Sequence, residues 1–183
     1  MSGKSKNKVF IATSLDGYIA DKDGGIDWLD TFPEINNIDS GYHSFMETID
    51  ALIMGRSTFQ KVISFGIDWP YQKPVYVLSN TLEVIPTELE NKVFLKKGKL
   101  TEILQEIHSE DRHNLYVDGG KLIQSFLKED LIDEMIITTI PVLLGQGIPL
   151  FSSLDNQLIF ECRQTILYLD KIVQNHYFRK NKE

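Results

Sequence analysis

Three short stretches carry residues suited to holding phosphate. In "ALIMGRSTF" (51–59) an apolar run ends at Gly55 and opens into Arg56, Ser57 and Thr58. If a strand ends there and a helix begins, free backbone N–H groups, two hydroxyls and a guanidinium converge on one point. That set suits an anion: the helix start is electropositive and a guanidinium can grip two oxygens at once. The same residues also make an ordinary capped helix with a surface arginine. "VYVLSN" (75–80) ends in Ser79-Asn80, which taken alone is a turn signal. "LYVDGGKLIQSFL" (115–127) passes from an apolar run through an acid and Gly119-Gly120 into a helical pattern, with Leu122, Ile123, Phe126 and Leu127 on one face. Paired glycines at such a turn mean unusual backbone angles or a close approach to the backbone. In open α/β sheets ligands lie beyond the carboxyl ends of the strands. Two helix starts on that side would embrace a two-phosphate ligand.

The elements that must position these residues alternate along the chain. Val9–Ser14, Ala51–Met54, Val75–Ser79, Val93–Leu95 and 115–117 read as strands. Ser40–Ile49, Ser57–Ile63 (with Ser57 as cap), Leu100–His108 and 120–128 read as helices. The last third changes character. Asp133–Ile140 is strand-like, and Leu158–Tyr168 and Ile172–Arg179 read as two long antiparallel strands turning near Asp170-Lys171. Strands alternating with helices predict an α/β layered domain, and the terminal hairpin makes its sheet mixed. No linker or repeat divides the chain, so residues 1–183 are expected to form one domain.

Bulk properties exclude several classes. A net charge of −7 and a pI of about 5.1 argue against a broad nucleic-acid or anionic-membrane surface. No run approaches the length of a membrane span. The single cysteine, Cys162, and the absence of an apolar leader in MSGKSKNK predict a cytoplasmic protein. No G-x-G-x-x-G, P-loop, H-E-x-x-H or G-x-S-x-G motif is present. The four histidines are scattered, without metal-ligand spacing.

Taken in order, "SLDGYIA", "DALIMGRSTF", "VYVLSN", "LYVDGGKLIQSFL" and "LIDEMIITTIPVLLGQGIPLF" resemble the dihydrofolate reductase-like superfamily. Within it the chain is most similar to the reductase domain of bacterial riboflavin biosynthesis in stand-alone form. The likeness spans about residues 9–178, and the last stretch is its most specific part. It implies a three-layer α/β/α fold with a mixed, mostly parallel eight-stranded sheet and a C-terminal antiparallel hairpin. It implies NADPH as hydride donor and a homodimer. By position, Gly55, Arg56, Ser57 and Thr58 would hold the cofactor phosphates, with Arg56 on the 2′-phosphate. Leu78, Ser79 and Asn80 would line the adenosine side, with Lys96 or Lys97 adding charge. Gly119, Gly120, Lys121 and Leu122 would border the pyrophosphate and nicotinamide, with side chains excluded because the cofactor needs the space. In the superfamily the Gly-Gly bond is often cis. Ala12, Ile19 and Ala20 would face the nicotinamide, in a loop shaped by Asp16 and Gly17.

The resemblance leaves the proton donor open. The buried carboxylate of folate reductases aligns with Asp39, but Asp39 or Ser40 serves equally as a helix N-cap. Asp27, Trp28, Tyr42 and His43 are further substrate-pocket candidates. Thr138 matches a threonine that supports the carboxylate, and it is also an ordinary β-branched strand residue. The Pro-Trp pair of the folate-reductase loop is absent; the loop reads "GGIDWL". This favours the riboflavin-type branch, and 5-amino-6-(5-phosphoribosylamino)uracil is the expected substrate type. Dihydrofolate or pterin reduction is the alternative. A non-catalytic NADPH-binding protein is the alternative of another class.

Overall fold

The computed structural model describes residues 5–180. Its elements run β1 (Lys6–Ser14), β2 (Tyr18–Ala20), α1 (Tyr42–Glu47), β3 (Ala51–Gly55), α2 (Arg56–Ser64), β4 (Val75–Leu78) and β5 (Val93–Lys96). There follow α3 (Leu100–Ser109), β6 (Asn114–Asp118), α4 (Gly120–Lys128), β7 (Glu134–Ile140), β8 (Ile148–Pro149), β9 (Phe160–Tyr168) and β10 (Ile172–Arg179). Short 3-10 turns cover Asp27–Thr31, Pro33–Asn37 and Thr87–Leu89. Eight strands form one sheet in the order β5-β4-β3-β6-β1-β7-β10-β9, and β2 pairs with β8 in a separate ribbon. The ladders from β5 to β7 are parallel, while β10 runs antiparallel to both β7 and β9.

The central strands are apolar throughout because both faces of the sheet are covered. On one face Ala51, Ile53, Leu115 and Val117 pack with Ile103 and Ile107 of α3 and with Ile123 and Phe126 of α4. On the other, Leu52, Met54, Val75 and Val77 pack with Phe45 of α1 and Phe59 of α2. The alternation along β3 therefore feeds two cores, and the molecule has three layers.

Several boundaries differ from the sequence reading. The helix expected over 40–49 is only the six residues of α1, because Asp39–Gly41 form a turn with Gly41 at φ +79°. Ser57 does not cap α2: β3 turns directly into the helix through Gly55, and no side chain caps it. The ribbon of β2 and β8 is not visible in the sequence pattern, since two- and three-residue strands are too short to show a period. The hairpin turn falls at residues 169–171, where Lys171 N–H donates to Tyr168 O and both Leu169 and Asp170 take φ +53°.

Parallel strands put their carboxyl ends on one edge. Register places Gly55 beside Leu78 and Met54 beside Asp118, so the ends of β3, β4 and β6 are neighbours. α4 is pinned beneath this edge by Ile123, which is fully buried among Ile53, Val117 and Phe126. Ile123→Ala is expected to destabilise the protein by about 2–5 kcal/mol through the cavity left behind. Urea unfolding should show a lower midpoint with an unchanged slope; an unchanged midpoint would mean that α4 does not depend on this contact.

Candidate active site

At the end of β3 the chain leaves open room in front of α2. A Cβ built on Gly55 would meet nothing within 4 Å. Arg56 and Ser57 are exposed on the first turn, and Arg56 Nη1 donates to the hydroxyl of Thr81 at 2.7 Å. The partner is neutral, so the guanidinium keeps its charge for an incoming anion. Ser79 Oγ accepts from the backbone N–H groups of Thr81 (3.2 Å) and Leu82 (2.9 Å), which folds the end of β4 back toward Arg56. A guanidinium framed by hydroxyls at an open helix start fits a phosphate. Thr81 is absent from the sequence-based set; nothing local marks it, because it reaches the site through a turn.

Next to this cradle, a cavity of about 340 Å³ brings together Leu78, Ser79, Asn80, Lys96 and Leu122. Lys96 is committed elsewhere: its Nζ donates to Glu106 at 2.9 Å and to Glu110 at 3.5 Å. Lys97 and Lys121 are exposed.

The protein's own packing already calls for the glycine pair. Gly119 has φ +96°, and a Cβ there would overlap the Thr58 hydroxyl. A Cβ on Gly120 would lie 2.7 Å from Ile19 Cδ1. The space is thus taken by the protein's own side chains: Thr58 is turned to Gly119, and Ile19 to Gly120. No cis peptide bond occurs among the described residues, so the Gly119–Gly120 bond is trans.

Ile19 and Ala20 belong to β2, which a carboxylate clasp holds over α4. Asp16 Oδ1 accepts from Ser14 Oγ at 2.6 Å and from Leu144 N–H at 3.1 Å, and Oδ2 accepts from Gly145 N–H at 2.7 Å. The Ser14 hydroxyl and these amides hold the Asp16 carboxyl below its ordinary range, against a smaller opposing effect of desolvation. Leu15 N–H donates to Val142 O, Leu150 N–H donates to Gly17 O, and Gln124 Nε2 donates to Pro149 O. The S-L-D-G and P-V-L-L-G-x-G motifs are therefore two halves of one clasp. Leu150 is fully buried beneath it, while Leu143 is 69% exposed.

The acid that ends β6 is the residue the sequence reading passed over. Asp118 keeps part of its surface open yet lies deep in the fold. Desolvation pushes its carboxyl up to about 6, with the Gly119 N–H pulling the other way. Its field reaches Tyr42, Tyr71 and Tyr116, whose hydroxyls burial already holds above their ordinary range. The Tyr42 ring lies edge-on to Phe10 at 5.3 Å and to Tyr116 at 6.5 Å, and Tyr71 lies edge-on to Trp69 at 5.2 Å. Aromatic faces and a proton-holding acid thus sit beside the open start of α2. The only local signal was an acid placed directly before two glycines.

The other candidates lie apart from this acid, although Gln174 Nε2 links Thr138 Oγ1 (3.0 Å) to the Ser40 carbonyl beside Asp39 (3.1 Å). Asp39 precedes α1 rather than lying on it; it is exposed and accepts from Gly41 N–H at 2.8 Å. His43 points outward toward Glu47, 3.5 Å away. Asp27 is exposed, and Trp28 encloses its Nε1 without a hydrogen-bond partner among the described residues. Thr138 is buried beside Ala12 in the β1–β7 ladder and accepts from Gln174 Nε2 at 3.0 Å.

The raised pKa of Asp118 has a stability consequence. An ordinary aspartate titrates near 3.9, so between about pH 4 and 6 the folded protein holds a proton that the unfolded chain has released. Stability falls as pH rises through that window and stays lower above it. Asp118→Asn should raise stability by up to about 2–3 kcal/mol above about pH 7 and change little near pH 4. Thermal melts at both pH values test this, and an equal effect at the two would refute the assignment.

Comparison with known proteins places this architecture. The family model described as RibD C-terminal domain matches residues 8–173. YwjB of Bacillus subtilis is 40% identical over 176 residues, covering 95% of this chain and 98% of YwjB. A crystal structure from Shewanella sp. PV-4, of a protein provisionally assigned to riboflavin biosynthesis, is 53% identical with a TM-score of 0.92, covering 96% of this chain and 99% of that one. Enterococcus faecalis dihydrofolate reductase, solved with NADP(H), shares the fold at 17% identity and a TM-score of 0.66, covering 96% of this chain and 97% of its own. The eight-stranded mixed sheet is accordingly the dihydrofolate reductase-like fold, and the chain belongs to the RibD C-terminal domain family.

Proposed function

We propose that this protein is an NADPH-dependent reductase of a small heterocyclic substrate, of the type of 5-amino-6-(5-phosphoribosylamino)uracil. Family membership supports a reductase. The observation that carries the rest is Asp118: a carboxyl able to hold a proton at near-neutral pH, at a strand end beside the open cradle of Gly55 and Arg56. Bound there, NADPH would supply a hydride. Arg56, Ser57 and the Thr81 hydroxyl would grip its 2′-phosphate, which NADH lacks.

The remaining work falls to the chain itself. Reduction of a C=N or C=O bond adds hydride to carbon and a proton to the heteroatom. In this reading Asp118 gives that proton and is reprotonated from solvent. Tyr42 and Tyr71 offer ring faces for the heterocycle, and the β2–β8 ribbon excludes water from the glycine side. Asp39 is exposed and precedes α1, which disfavours the folate-type mechanism built on a buried acid of the first helix. The same reading includes a homodimer, since Leu143 and Phe151 expose apolar side chains on the clasp; a monomeric mass by light scattering would remove that part.

Calorimetric titration with NADPH and NADH, followed by turnover of the phosphoribosylaminouracil and of dihydrofolate, tests the whole reading. NADPH should bind more tightly than NADH, and Arg56→Ala should lose about tenfold or more of that preference. Asp118→Asn should lower kcat by about 10²–10⁴-fold while leaving NADPH binding intact, and wild-type turnover should decline as pH rises past about 6. NADPH binding with no turnover of either substrate would support a non-catalytic role instead. No nucleotide binding would overturn the proposal.

A further inference from the structure

On the other flank of α1 lies a groove of about 440 Å³ that includes none of Gly55, Arg56, Gly119 or Asp118. Its floor is the face of β1, β7 and β10 that α1 is too short to cover. Register sets Lys8 beside Glu134 and Ile136 beside His176, so three polar side chains meet at one end. Apolar walls come from Phe10, Phe45, Ile136 and Ile166.

The charge at that end is unbalanced. Glu134 and Lys8 are only 9% and 8% exposed. Glu134 Oε1 accepts from Lys6 Nζ at 2.8 Å, so that pair is made. Lys8 Nζ stands 3.9 Å from the other carboxylate oxygen and has one close partner, the neutral Thr48 hydroxyl at 3.0 Å. An ammonium carries three donors, so Lys8 has capacity left. His176 Nε2 is enclosed without a hydrogen-bond partner among the described residues, 3.7 Å from Glu134. Burial keeps this imidazole neutral, and in its Nε2–H tautomer it is a second donor. One carboxylate thus answers two ammonium groups, the half-exposed Lys6 and the buried Lys8, so this end of the groove carries one positive charge more than negative. Asp39 also lines the groove, and an acidic side chain there disfavours a second anionic group on the ligand.

We propose that this groove is a second binding site, distinct from the cofactor cradle, for a small monoanionic carboxylate with a flat apolar body. Its carboxylate sits on Lys8 Nζ and His176 Nε2, and its body lies between Phe10, Phe45 and Ile136. The inference does not depend on the reductase reading, because no residue of that site contributes to it.

Benzoate and its neutral isostere benzamide are suitable calorimetric probes for the full chain. Benzoate should bind in the low-millimolar range or tighter, and benzamide about tenfold or more weaker. Lys8→Met should abolish the difference between the two. Because Lys8 is buried and its loss threatens folding, Ser44→Trp on the exposed face of α1 provides a second variant. It should block benzoate by filling the mouth while leaving NADPH affinity unchanged. Equal binding of benzoate and benzamide, no benzoate binding, or unchanged benzoate affinity in Ser44→Trp would each overturn the proposal.

Discussion

Thr58, in the first turn of α2, occupies the volume that a side chain at position 119 would need. That contact brings the starts of α2 and α4 together, although they follow different strands. It requires a residue without Cβ at 119, and the φ of +96° there requires glycine independently. The adjacent ladder of β3 and β6 then fixes the rest: Gly55 opens space in front of α2 while Asp118 is carried to the same edge. A substitution at Gly119 would therefore disturb the open start of α2 and the acid at once.

The clasp serves this arrangement from outside. Asp16 is exposed, yet its two oxygens accept three hydrogen bonds that tie the loop after β1 to the loop before β8. Ile19 is thereby pressed against Gly120, and Gln124 of α4 is bonded to Pro149. The loop over the helix start is held by specific polar contacts rather than by deep burial, since only Leu150 and Ala20 of this region are in the core. Such a closure can be firm and still open at low energetic cost, because exposed hydrogen bonds exchange readily with water.

Local physics made much of the fold legible in the sequence. β3 and β6 are continuous apolar runs because both sheet faces are covered, and α4 shows its buried stripe at Ile123, Phe126 and Leu127. Leu78, Ser79, Asn80 and Leu122 meet in one cavity for the same reason: each lies at or just past a strand end, or on the first turn of a helix. What stayed hidden depends on contacts distant in sequence. Asp16 is bound by residues 128 and 129 positions away, Thr81 reaches Arg56 through a turn, and Lys8 meets Glu134 only after β1 and β7 pair. No spacing rule encodes such meetings.

The two aspartates considered as proton donors show why residue type alone does not assign a role. Counting back from Gly55 leads to Asp39, but the chain there makes a turn at Gly41 instead of extending α1, and the carboxylate is spent on the Gly41 N–H in open solvent. Asp118 has the same side chain at the end of a buried strand, near Tyr42, Tyr71 and Tyr116 and largely withdrawn from the water that would solvate its charge. Desolvation favours the neutral acid there, at a cost in stability above pH 6 that the fold tolerates. A desolvated, destabilising acid beside the open start of α2 is the arrangement expected where binding and proton transfer are combined, since stability alone would favour asparagine at that position.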